Sequence, residues 1–275
     1  MKRILGPRSL GAMLAETFRI YGGNSVRLLA IVAIVEIALR FMWSIPDFSG
    51  LEPLLTEGKT QSLGRLIPIG IMLLVASIMG LSLMQGALIY AVSEQYLRGS
   101  IRIGRALRFA WERLASMAGA MLLAIFAVMG IVMVSIGFPV NSIPKTGYLF
   151  VTAGFCVSVY LLVCWSFILQ VTLLEGLGPL AAISRSTSLV RNNWWRVLHM
   201  TFAVGLITVA ISLIIGALPT IGPALGNVLS TPVFVIGITL LYYDLRVRKE
   251  EYNLERLAQE LHASKPSDEG EPNLS

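Results

Sequence analysis

Charge is what this chain has least of. Asp, Glu, Lys and Arg make up 14% of its 275 residues and hydrophobic residues 55%, whereas about a quarter of an ordinary soluble domain is charged. With a mean hydropathy of +0.74, that deficit excludes a water-facing globular surface and leaves an integral membrane protein. Cysteine is nearly absent: Cys156 and Cys164 fall inside one uncharged run. They have no disulfide-framework, CxxC or zinc-type spacing and read as buried thiols. Histidine is as rare, with His199 and His262 far apart in the chain, and one histidine makes no metal centre. No phosphate-binding loop, HExxH pair, nucleophile elbow or paired carboxylates occur. No catalytic residue, metal or cofactor is therefore assigned, and the chain reads as a non-enzyme. The opening MKRILGPRSLGAML lacks a compact apolar core and a small-residue cleavage site, so the first span takes the place of a removable signal peptide.

Long apolar runs are what the chain does have. Val26 to Ile45 matches the roughly 20 residues that a span requires, although Arg27, Glu36 and Arg40 fall within it. Leu66 to Ser93 carries no charge, Leu114 to Gly137 follows, and a fourth run covers about Tyr148 to Leu174. From Val197 to Tyr243 there are 47 residues without Asp, Glu, Lys or Arg. As one helix that stretch would be about 70 Å long, more than twice the hydrocarbon thickness. It must break, and LPTIGP at Leu218 to Pro223 supplies the prolines and glycine that break it. The expectation is an all-α polytopic protein with six transmembrane helices.

Short amphipathic helices precede the pairs of runs. Ser9 to Tyr21 places Leu10, Leu14, Phe18 and Tyr21 on one stripe, and Ile103 to Leu114 repeats it with Ile103, Leu107, Trp111 and Leu114. Pro179 to Val190 is the third, followed by Trp194, Trp195 and Arg196. At about a dozen residues each is too short to cross, and the reading is three helices lying flat at the interface with their apolar stripes toward lipid. Shifting by 93 positions carries Leu10, Gly11, Leu14, Phe18 and Pro46 onto Ile103, Gly104, Leu107, Trp111 and Pro139. Shifting by 169 carries Asn24, Arg27 and Leu29 onto Asn193, Arg196 and Leu198. Each second span ends at an acid: Glu94, Glu175 or Asp244. The layout is three repeated hairpins, at about 9–93, 100–174 and 178–243, in one membrane domain of residues 1–245. A polar tail, 246–275, holds a short helix from Asn253 to His262 and then a disordered end.

Basic residues set the orientation. Eighteen Lys and Arg lie on the side of the termini, against Lys59, Arg65 and Lys145 in the opposite loops, so both termini are expected in the cytoplasm. Such a distribution suits an anionic inner leaflet better than nucleic acid.

Candidate sites are few. Glu36 and Arg40 stand at i, i+4 inside the first span, either as a proton or headgroup site or as a self-neutralised pair. Gln85 and Gln170 either line a polar path or make interhelical hydrogen bonds. Arg102, Arg105, Arg108, Trp194, Trp195 and Arg196 form a headgroup-level belt. Asn192 and Asn193 end one helix and cap the next, and Pro223 between Gly222 and Gly226 favours a turn over a packing face.

The run Leu174 to Val197 (LEGLGPLAAISRSTSLVRNNWWRV) and the stretch LLYYDLRVRKEEYNLERLA at 240–258 resemble the bacterial membrane domain named after glycerophosphoryl diester phosphodiesterases. That resemblance implies a multi-span membrane module; the phosphodiesterase itself is a separate metal-binding barrel, and nothing here matches it. Two functions follow as expectations. One is a non-catalytic, lipid-interacting scaffold of the bacterial inner membrane, alone, as a homo-oligomer or with other membrane proteins. The other is a transporter or channel with a polar path between repeats, for which Glu36, Gln85 and Gln170 should converge.

Overall fold

The computed structural model describes residues 9–45, 63–142 and 147–250. The helix expected at Asn253 to His262, the two loop lysines and most of the 47–65 loop lie outside them. All described elements are helical. In chain order they are α1 Leu10–Ser44, α2 Leu63–Arg98, α3 Ile103–Glu112, α4 Leu114–Ser142, α5 Gly147–Cys164, α6 Ile168–Gln170, a π-helical turn Val171–Glu175, α7 Pro179–Val190, α8 Trp194–Gly216 and α9 Gly222–Glu250.

Five stretches are long and apolar enough to cross a membrane: Ile67–Arg98, Leu114–Gly137, Leu149–Glu175, Trp194–Gly216 and Gly222–Lys249. The second half of α1, with Arg27, Glu36 and Arg40, is not among them. Of the α9 stretch 61% is buried, against 11% for α8, which makes α9 the central helix of a multi-pass bundle.

Several boundaries differ from those read along the sequence. One boundary agrees: α1 is two helices that meet at a kink at Asn24, beside Gly22 and Gly23. Asn24 leaves helical geometry (φ −138°, ψ 17°) while its amide Nδ2 donates to the Ile20 carbonyl at 3.3 Å. Helix α4 continues beyond Gly137 to Ser142, and α9 runs through Arg246 and Arg248 to Glu250, because helical hydrogen bonding does not stop where the bilayer does. Asn192 takes a left-handed φ of 70° and so ends α7. Asn193 holds the N-cap position of α8 without a side-chain cap bond, which corrects half of the capping expectation. Cys164 is buried as expected, but Cys156 is exposed.

The Gly222 and Gly226 pair is a packing face after all. A Cβ at Gly222 would lie 2.7 Å from the Ile215 carbonyl oxygen, and one at Gly226 3.0 Å from that of Ser212. One turn further on, Ser230 meets Ser212 with their hydroxyls 2.8 Å apart. Gly222, Gly226 and Ser230 therefore form a small-residue row on which α8 lies close. Pro223 is tolerated because it falls in the first turn of α9, where its missing N–H costs nothing.

The Leu149–Glu175 stretch is broken. Helix α5 ends at Cys164 and regular structure resumes at Ile168, leaving backbone groups that a membrane interior cannot hydrate. Ser186 of α7 fills the gap: its hydroxyl donates to the Cys164 carbonyl at 2.8 Å and accepts from the Phe167 N–H at 3.2 Å. A serine on the amphipathic helix thus repairs a break in the span before it.

The amphipathic helices pack on the bundle by one face and leave part of each expected stripe outward. Met13, Glu16, Thr17 and Ile20 are the buried residues in the first part of α1, Ala106, Phe109 and Ala110 in α3, and Ala182, Ser186, Leu189 and Val190 in α7. Leu10, Phe18 and Trp111 of the expected stripes are exposed. The apolar arc is wider than one stripe. Part of it, from Met13 and Ile20 to Phe109, Ala110 and Leu189, is taken by the bundle, and Leu10, Phe18 and Trp111 are left outward.

Candidate functional site

The cytosol-ward ends expected for the spans come together as one arginine-rich end, organised by three consecutive residues of α9. Tyr242 donates its hydroxyl to Glu175 Oε1 at 2.8 Å. Tyr243 donates to the Ser93 hydroxyl of α2 at 2.6 Å and stacks on Tyr96 with ring centroids 5.7 Å apart. Asp244 accepts Arg196 of α8 at 2.9 Å and Arg248 of its own helix at 2.9 Å. Successive residues of an α-helix point about 100° apart, so three in a row reach three different neighbours only from a helix surrounded on most sides.

Each of the three acids collects arginines. Glu94 takes Arg105 of α3 at 2.9 Å and Arg98 at 3.9 Å. Glu175 takes Arg185 of α7 at 2.9 Å and Arg246 of α9 at 4.0 Å. Arg246 also donates to the Tyr242 hydroxyl at 3.1 Å and lies over that ring at 5.6 Å, which joins α9, the π turn and α7 into one chain of hydrogen bonds. Arg196 reaches beyond Asp244 to the Met13 sulfur of α1 at 3.7 Å. Gly176 ends the π turn with φ 69°, a backbone conformation that needs glycine, and the Arg113 guanidinium occupies the space beside it, 2.6 Å from where a Cβ would lie. Arg113 itself lies over the Phe109 ring at 5.1 Å, and burial holds its guanidinium below the usual value.

The sequence-selected residues divide. Arg105 and Arg196 point inward to Glu94 and Asp244. Arg102 and Arg108 stay exposed, Arg108 with Glu112 at 3.3 Å. Trp194 stacks on Tyr160 at 6.1 Å between centroids, and Trp195 is 68% exposed. Arg40 does bind Glu36, through Nε at 3.1 Å and Nη2 at 2.9 Å. Gln85 is half-buried; Gln170 is buried, with Oε1 unpartnered among the described residues. No hydrogen bond or ion pair among the described residues links Glu36, Gln85 and Gln170, and two grooves of about 500 and 440 Å³ include none of them.

Tyr242, Tyr243, Ser93 and Ser186 were not singled out from the sequence. The one available signal was the YYD triplet itself, hydroxyls at the polar end of an uncharged run. Among the described residues no group of three or more His, Cys, Asp or Glu is placed to hold a metal ion. Comparison with family models, curated proteins and solved structures gives no match.

Proposed function

We propose that this chain is a non-catalytic, lipid-interacting scaffold of the bacterial inner membrane. In this reading it has six spans in three repeated hairpins, both termini in the cytoplasm, and the second half of α1 as the sixth span. One observation carries the lipid reading. At the arginine-rich end Glu94, Glu175 and Asp244 are turned inward and paired, while Arg27, Arg102, Arg108 and Arg191 are exposed around them with Trp111 and Trp195. A rim of exposed cations and amphipathic rings, with Glu112 beside Arg108 and the three buried acids turned to other arginines, suits anionic headgroups. The resemblance to the membrane domain named after glycerophosphoryl diester phosphodiesterases agrees with a module that has no active site.

Topology is tested by single cysteines at Lys59 and Lys145 in a protein with Cys156→Ser and Cys164→Ser. An impermeant reagent outside intact cells should label both; protection of both rejects the orientation. The rim is tested by hydrogen exchange in vesicles of phosphatidylcholine with and without phosphatidylglycerol. Added anionic lipid should protect 94–113 more than 179–196, and an unchanged pattern rejects the lipid reading.

A transporter is the second reading, favoured by the π turn. Thr172 and the neighbouring Gln170 keep buried oxygens without partners among the described residues, and π-helical turns recur at functional sites. Flux across vesicles that disappears in Gln170→Leu, with folding intact, would decide for it.

A further inference from the structure

Beside the arginine-rich end a groove of about 500 Å³ opens between α1, α2 and α3. Ile34, Val35, Ala38, Leu39 and Met42 of α1 form one wall, Gly80 and Leu83 of α2 the second, and Leu107, Arg108 and Trp111 of α3 close one end. At 1.5 Å per residue, Ile34 to Met42 gives a trough about 12 Å long. Gly80 gives Leu39 its seat, because a Cβ there would be 2.7 Å from Leu39 Cδ2 and would displace that side chain. Glu36 and Arg40 stand two positions on from Ile34 and Ala38, about 200° around the helix, so the paired charges face away.

We infer that this groove holds one acyl chain of an anionic phospholipid, with its phosphate on Arg108; the assignment rests on the lipid reading above and names the lipid and its seat. The walls are aliphatic along their length, and the one charge among the lining residues is a cation at the end nearest the headgroup-level rim. Trp111 beside it, 65% exposed, completes a pairing suited to the bilayer interface. The ion pair of Arg108 with Glu112 is an exposed i, i+4 contact at 3.3 Å, of the weakly held kind, and a guanidinium has five donors with which to hold a carboxylate and a phosphate together. A second groove supplies the contrast. It measures about 440 Å³, lies between α5, α8 and α9, is lined by Val163, Leu198, Phe202 and Val209 among others, and has no charged residue. It should take lipid chains without preference for a headgroup.

Native mass spectrometry of the intact chain, released from bilayers of equal phosphatidylglycerol and phosphatidylcholine, tests this. Wild type should retain one phosphatidylglycerol per chain. Arg108→Gln should lower that retention about tenfold, the size of a lost charge-assisted contact, and erase the preference for phosphatidylglycerol, while Arg108→Lys keeps much of it. Ala38→Phe, at an exposed position on the wall, should fill the trough and remove the bound lipid. Equal retention of both lipids by wild type overturns the proposal, as does unchanged phosphatidylglycerol on Ala38→Phe. A lipid-free dimer that Ala38→Phe dissolves assigns the trough to a second copy and also overturns it. Hydrogen exchange of the rim in the same samples separates the two readings: rim protection by anionic lipid without a single retained lipid leaves the scaffold standing and rejects the groove.

Discussion

Two sets of opposite charges in this protein use the same chemistry in different settings. Glu36 and Arg40 are four residues apart on one helix, and Arg40 is 48% exposed. Glu175 and Arg246 come from the π turn and from α9, and Arg246 is 5% exposed. The first pair closes within a helix turn and asks nothing of the rest of the fold. The second exists only if α9, the π turn and α7 are already docked, and it is completed by Tyr242 and Arg185. A local pair neutralises a cost, whereas a distributed one makes the docking of three elements conditional on each other.

That contrast is sharpest for removal of one partner. Glu175→Leu should strip Arg246 and Arg185 of their shared carboxylate and cost about 3–5 kcal/mol, read as a large fall in thermal unfolding temperature in detergent. Glu36→Leu should cost about 1 kcal/mol or less, since Arg40 reaches solvent or headgroups. Comparable losses in the two variants would erase the distinction.

Next in size is Ser186→Ala. It leaves the Phe167 N–H without its partner in a setting water does not reach, for about 1–3 kcal/mol. Amide exchange at 165–168 should rise before that of α8, and unchanged exchange there would show that the break is held by other means.

Tyr243→Phe should cost about 0.5–1.5 kcal/mol, because the Tyr96 stack stays and the Ser93 hydroxyl still donates to the Ile89 carbonyl at 2.7 Å. A loss as large as that of Glu175→Leu would move the centre of the network from the carboxylates to the tyrosines.

The smallest effect belongs to Glu36→Leu with Arg40→Leu. Removing both members of a costly pair together should leave stability unchanged or slightly raised. A clear loss in the double variant, or a lost cellular phenotype with folding intact, would give the pair a task beyond neutralising itself.

The sequence by itself determined whatever depends on neighbours along the chain. Low charge dictates a membrane setting, uncharged runs place the spans, LPTIGP separates α8 from α9, and the Glu36–Arg40 pair follows from helical spacing. The inward ends of Arg105 and Arg196 were not legible, because a cation at a span's end serves a headgroup or a buried acid equally well until the acid's position is known. The amphipathic helices illustrate the same limit. Periodicity shows a broad apolar arc, but which part of it meets protein, Phe109 and Ala110 buried and Trp111 exposed, depends on where the neighbouring helices lie. Only the tertiary structure decided that Ser186 mends the break after Cys164 and that Tyr242, Tyr243 and Asp244 reach three neighbours. The physical reason is that hydrogen-bond partners 19 to 150 residues apart are chosen by packing, on which local sequence patterns are silent.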